Sequence, residues 1–183
     1  MRDLTRPASD GTSASLRIRP AEPRDAAAIA AIYNEGIRGR GATFETVERS
    51  VDDVLRWFAP TGRVSRPFLV ADRDADVLGW VRASEYRPRA CYEGVAEFSV
   101  YVASAARGQR VGDALMTRFV EACAGSGIWK ILSRIFPENT ASRSLCARHG
   151  FREVGTYERH AQLDGVWRDV VIVERLIPVN QAS

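Results

Sequence analysis

The sequence is poor in the side chains that hold metals or staple a chain. It has three cysteines (Cys91, Cys123 and Cys146) and two histidines (His149 and His160), with no C-x-x-C pair. No zinc cluster of usual ligand spacing can be assembled from that set, so no metal is expected. An odd number of scattered cysteines fits a reducing compartment, and we expect the chain in the cytoplasm. No apolar run reaches the ~20 residues that a membrane span needs. The opening MRDLTRPASDGTSAS lacks the apolar core of a secretory signal. A strong charge of one sign is also missing. The net charge is +3 with acidic and basic residues interspersed, which does not require nucleic acid as a partner. Lysine is scarce. Arginine far outnumbers it, which suits fixed sites for carboxylate or phosphate oxygens and equally fits a genomic bias.

What remains is an ordinary globular composition, 45% hydrophobic and 27% charged, over 183 residues. That length suits one domain with a real core. Residues 1–15 read as a disordered lead, 16–178 as the domain and 179–183 as a tail. LRIRPAEPRDAAAIAAIYNEGI predicts a short strand and then a helix, with Pro23 at its first position and Asp25 in its first turn. SVDDVLRWFA predicts a second helix opened by a Ser50–Asp53 capping box. PFLVAD and VLGWVRASEY flank the turn signal RDAD and predict a hairpin. GVAEFSVYVA is a strand apolar on both faces, as in a buried central strand. VGDALMTRFVEACAGSG predicts a helix and WKILSRIF a strand. NTASRSLCARHGF predicts a helix from Asn139 to a left-handed cap at Gly150. Two final strands flank Asp164-Gly165 as antiparallel neighbours. The order gives an α/β fold, a mixed central sheet of about seven strands with about four helices on its two faces.

Two places carry chemistry. In ARGQRVGDAL a strand feeds a helix through two glycines and two arginines. Backbone N–H groups at a helix start are unpaired and attract anions, glycines allow close approach, and Arg107 and Arg110 add charge. The loop is neither a nicotinamide fingerprint nor a Walker loop. It reads as a seat for a pyrophosphate or as a plain turn with surface arginines. Glu97 is a carboxylate in the middle of an apolar strand. It reads as a general base or as one half of a salt bridge to an arginine.

The loop resembles the glycine loop of the GCN5-related N-acetyltransferases (GNAT), Gln/Arg-x-x-Gly-x-Gly/Ala, which holds the pyrophosphate of acetyl-CoA. The six positions are Arg107, Gly108, Gln109, Arg110, Val111 and Gly112, with Arg110 in place of the first motif glycine. ENTASRSLCARHGF is similar to the family's second cofactor element, and the resemblance covers nearly all of Leu16 to Ile177. IYNEGI, ATFE, YRPRACY, VAEFSVYV and GVWRDV resemble the phosphinothricin N-acetyltransferase group, which includes enzymes for methionine sulfone or sulfoximine and for arsinothricin. ATFE, CYEGVAEFSVYV and RIFPEN together resemble the arsinothricin N-acetyltransferases most.

The resemblance implies an acetyl-CoA-dependent enzyme, with no metal, that acetylates the α-amine of a small glutamate-like toxic amino acid and confers resistance. It also implies a homodimer. Glu97 would be the base, directly or through water. Val100, Tyr101 and Val102 would offer backbone groups to the pantetheine arm, one of them polarising the acetyl carbonyl. Asp113 would join the loop at the cofactor. Asn139 would serve as helix cap and pantetheine partner, with Ser142 as a lesser contact. Cys146 stands where the family places Tyr or His as the acid, and reads as that acid or as a small core residue. Arg87, Arg89, Tyr92 and Ser99 would meet the substrate. Phe44 would wall its pocket, in its own or a neighbouring subunit, and Trp167 would line the same site or, the favoured reading, pack the final hairpin. Two rivals are an acetyltransferase for protein or peptide amines and a non-catalytic acyl-CoA-binding module. The arginines of YRPR argue against basic peptides, and the presence of Glu97 argues against the module.

Overall fold

The computed structural model describes residues 15–59 and 64–181, so the expected lead lies, apart from residue 15, outside the described residues. Strand β1 (Arg17–Pro20) leads through a short turn into α1 (Ala26–Arg38) and α2 (Val51–Leu55). Pro23 opens that turn, and the Asp25 carboxylate accepts the Glu22 N–H at 2.8 Å, so the expected start signal is in place. The Ser50–Asp53 box is formed in both directions. β2 (Phe68–Arg73) and β3 (Asp76–Glu85) form the expected hairpin, with Asp74 and Ala75 both at positive φ. Then follow β4 (Val95–Val102), α3 (Val111–Gly125), β5 (Lys130–Ile135), α4 (Thr140–Arg148), β6 (Arg152–Leu163) and β7 (Val166–Leu176). Gly150 takes φ +74° after α4, and the Phe151 N–H bonds back to the Cys146 carbonyl at 3.1 Å. That is the left-handed cap with an apolar fold-back.

The seven strands form one sheet in the order β1-β2-β3-β4-β5-β7-β6. Among the described pairings only β4 with β5 is parallel, so the sheet is mixed. One face packs on α3 and α4: Val81, Ala83, Ala96 and Phe98 meet Leu115, Met116 and Phe119. On the other face Ile29, Ile32 and Val54 from α1 and α2 cover Val70 and Trp80. Side chains alternate across a strand, so the even positions of β4 serve the first core while Glu97, Ser99 and Tyr101 face the other side. After β7, Asn180 donates to the carbonyls of Ala124 and Ile128 at 2.8 and 2.9 Å, which fastens it to the end of α3 and the turn that follows.

Candidate active site

β4 pairs with β3 from Ala96 to Val102 but with β5 only from Val95 to Glu97. Beyond Glu97↔Leu132 the two parallel strands part. Backbone groups of alternate residues point to the same edge of a strand. The Ala103 N–H bonds Leu78 of β3, while the Phe98 carbonyl accepts from the Ser133 hydroxyl of β5 at 2.9 Å. Val100 and Val102 therefore turn their N–H and C=O groups into the opening. The backbone of Tyr101 faces β3, so of the three residues expected to offer main-chain groups, Tyr101 contributes its ring instead. That ring stacks on Trp80 with centroids 4.9 Å apart, and its hydroxyl donates to the Ala42 carbonyl. Burial pushes this hydroxyl well above the ordinary tyrosine range.

A cleft of about 570 Å³ continues from this opening to the start of α3. Val100, Tyr101, Val102, Arg107, Gly108, Arg110, Val111, Gly112, Asp113, Asn139 and Ser142 all line it, as one contiguous wall. Gln109 does not. Its amide donates to the Ala105 carbonyl and accepts from Arg73, which ties it to the outer side of the loop. Gly108 lies at φ +76°, and Arg110, in the place of the first motif glycine, takes φ 60° and ψ 15°. The turn thus demands the left-handed conformation that explains a glycine there, and an arginine adopts it at some cost. A Cβ on Gly112 would meet a Leu145 methyl at 3.2 Å, so glycine lets α3 begin close against α4. Asp113 sits in the first turn of α3. Arg148 grips its carboxylate at 3.0 Å and, with His149, holds its carboxyl below the usual range.

Asn139 caps α4 by accepting the Ser142 N–H at 3.1 Å, and its amide donates to the Gly41 carbonyl at 3.3 Å. The α1–α2 loop therefore folds over the cleft, held also by Tyr101 and by Arg40 with Asp164. Phe44 of this loop stands edge-on to Phe136 of its own chain at 4.8 Å, next to the end of β5. A second, small cavity of about 60 Å³ lies at the fork, lined by Ser99, Ser133, Arg134, Asn139 and Cys146 among others. Cys146 is only 2% exposed, and burial pushes its thiol up to about 12. Such a thiol is a weak proton donor, and its surroundings favour the packing reading.

Glu97 occupies the last paired position of the fork. It is not enclosed by apolar groups. Arg134 of β5 grips it as a fork, Nε donating to Oε1 at 2.9 Å and Nη2 to Oε2. The salt bridge and the mid-strand carboxylate of the sequence reading are thus both present. Arg87 and Arg89 lie exposed on the β3–β4 connection, and neither makes an ion pair among the described residues. Arg87 lies over the Tyr86 ring, and Tyr92 stands edge-on to Tyr86 at 5.5 Å. This loop sits at the end of β4 nearer Glu97, outside both cavities. Trp167 lies on the β6–β7 hairpin opposite Gln162, half exposed and outside the lining of both cavities. Its neighbour Arg168 lines the cleft instead and pairs with Glu138 at 3.3 Å. Arg134, Arg168 and the Gly41–Ala42 backbone went unnoticed in the sequence. The one signal for Arg134 was its place two residues after Leu132, on the face that Glu97 shares.

A strand fork with free backbone groups, an anion seat at a helix start and a carboxylate at the junction define an acetyl-CoA-dependent transferase. The acetyltransferase (GNAT) domain family model matches residues 18–172, and the chain belongs to this family. It is an N-acetyltransferase with acetyl-CoA as donor. Phosphinothricin N-acetyltransferase of Alcaligenes faecalis is 34% identical over 164 residues, 89% of this chain and 82% of that protein. L-methionine sulfoximine/L-methionine sulfone acetyltransferase of Pseudomonas aeruginosa is 31% identical over 170 residues, 92% and 99% of the two chains. Among solved structures, a phosphinothricin acetyltransferase of Sinorhizobium meliloti in complex with acetyl-CoA superposes with a TM-score of 0.80 at 27% identity, covering 91% of this chain and 89% of that one. Ribosomal-protein-alanine N-acetyltransferase from Brucella melitensis gives 0.83 at 30% identity, covering 88% and 99%.

Proposed function

We propose that this enzyme acetylates the α-amine of a small glutamate-like toxic amino acid of the arsinothricin, phosphinothricin or methionine sulfoximine kind. It would act as a cytoplasmic homodimer and confer resistance. The observation that supports this most is Glu97 at the last rung of the β4–β5 fork, beside the free backbone groups of Val100 and Val102. The diphosphate would rest on the N–H groups of Gly108 and of Arg110 to Gly112 with the Arg107 and Arg110 side chains, and the pantetheine arm would run along β4 towards the fork. An α-ammonium is mostly protonated near neutral pH, so Glu97 would accept its proton. The freed nitrogen then attacks the acetyl carbon, with the Val100 N–H facing the developing oxyanion. The C–N bond forms, the C–S bond breaks, and the sulfur leaves with its electron pair. The second nitrogen proton passes to that thiolate through solvent.

Arg87 and Arg89 carry guanidinium forks without an ion pair among the described residues, next to the Glu97 end of β4, which suits a distal carboxylate, phosphinate or arsinate group. With Tyr92, Ser99 and Phe44 they would form the substrate side. For the homodimer, Tyr157 and Val154 on the edge strand β6 are about half exposed and offer apolar surface that a second copy would cover. The rival, a protein amine as acceptor, draws support from the Brucella structure. A thiol-release assay with acetyl-CoA separates them. Turnover with phosphinothricin, arsinothricin or methionine sulfoximine and none with alanyl peptides is the expected result; the reverse pattern would transfer the proposal to the rival.

A further inference from the structure

We infer that Arg134 is the receptor for the α-carboxylate of the substrate, and that its present grip on Glu97 is a latch which the substrate itself opens. The inference rests on the amino-acid reading above and adds the part of the molecule that selects a free amino acid.

Three observations carry it. First, place: β5 runs parallel to β4 with Glu97 opposite Leu132, and Ile131 and Ile135 point into the core. Leu132 and Arg134 therefore lie on the face of Glu97 and Ser99, at the point where the strands part. Second, access: the Arg134 side chain is 43% exposed and that of Glu97 23%, and Arg134 lines the small cavity with Ser99 and Asn139. Third, geometry: the guanidinium already holds a carboxylate through two parallel N–H bonds, so its fork is presented for bidentate capture.

The pair as it stands is unsuited to catalysis. With a guanidinium N–H on each oxygen, the carboxylate has its proton-accepting positions engaged. It must open for Glu97 to take a proton. A ligand opens it best by supplying a replacement for each partner, because a charge stripped of its partner is costly when it is partly buried. An α-amino acid carries ammonium and carboxylate on one carbon. Its ammonium can turn to Glu97 while its carboxylate turns to Arg134, and one ion pair becomes two. A partly exposed pair of this kind is held weakly, so the exchange is accessible. A peptide N-terminus or a simple amine brings the cation without the carboxylate. It leaves Arg134 on Glu97, and the base stays latched.

The test uses the full chain, acetyl-CoA, and two acceptors: phosphinothricin and its α-carboxamide. Steady-state kinetics are measured for the wild type, Arg134→Gln and Arg134→Lys. In the wild type the carboxamide should show a KM about 10- to 100-fold higher, the loss expected for a charge-assisted bidentate contact. In Arg134→Gln the KM for phosphinothricin should rise by a similar factor, and the difference between the two acceptors should vanish. Turnover with the carboxamide should rise above that of the wild type, because Glu97 is no longer held by Arg134. Arg134→Lys should recover part of the discrimination. Equal KM values in the wild type, or a carboxamide penalty that persists in Arg134→Gln, overturn the inference. So does a variant that melts lower and loses both acceptors alike, the mark of a purely structural pair. A wild type that acetylates no amino acid overturns the wider reading as well, whereas one that acetylates both acceptors equally overturns only this one.

Discussion

Replacing Arg110 by glycine should make the protein more stable and its grip on acetyl-CoA weaker. Arg110 holds φ 60° and ψ 15° immediately before α3, a left-handed conformation that costs an L-residue about 1–2 kcal/mol. Glycine removes that cost but adds about 0.4–1 kcal/mol of freedom to the unfolded chain. The net gain is about 0.8 kcal/mol at the centre of those ranges, which for a domain of this size raises Tm by about 2–3 °C. The same side chain lines the cleft at the helix start where the diphosphate is expected. Loss of one exposed cation there should weaken CoA binding about 2- to 10-fold, and the loss should shrink at high salt as the remaining charges are screened. Calorimetry gives the first quantity, and titration with CoA at low and at high salt gives the second. Arg110→Ala keeps the strain and loses the charge, so it should bind CoA as weakly as the glycine variant without its gain in Tm. A lower Tm for Arg110→Gly, or unaltered CoA affinity in both variants, would refute the reasoning.

Two further outcomes follow from buried groups. Arg17 and Arg19 clamp Asp72, and their hydrogen bonds hold its carboxyl down at about 2 despite burial. A carboxyl depressed in the folded state stabilises above its unfolded value near 4, and that contribution of about 2 kcal/mol is lost as pH falls from there to about 2. Stability curves of wild type and Asp72→Asn should therefore converge by about that amount over this window, and parallel curves would contradict the assignment. Cys146→Ala should cost about 1 kcal/mol of stability by removing a buried sulfur, while turnover stays within about threefold. A fall in turnover of a hundredfold or more would restore the thiol as acid.

Local signals carried much of the fold. Ser50 and Asp53, Asn139 and Gly150 each mark a helix end through their own backbone bonds, so they can be read without tertiary knowledge. The loop from Arg107 to Gly112 was legible for the same reason, since a left-handed turn and a bare helix start are matters of adjacent residues. The partners of Glu97 were not. Arg134 is 37 residues away, and only the parallel β4–β5 register brings it alongside. The α1–α2 loop named Phe44 through the resemblance of ATFE, but its path was equally silent, because RGRGATFE has no periodicity. Its position is set by remote polar contacts, Tyr101 to Ala42 and Asn139 to Gly41.

The proposed role of Glu97, taking the proton of the attacking amine at the mouth of the β4–β5 fork, is tested by Glu97→Gln, through turnover with a saturating amino-acid acceptor alongside a titration with acetyl-CoA. The kcat should fall about 10²- to 10⁴-fold, the usual contribution of a general base, with acetyl-CoA affinity unchanged. Turnover equal to that of the wild type would contradict it.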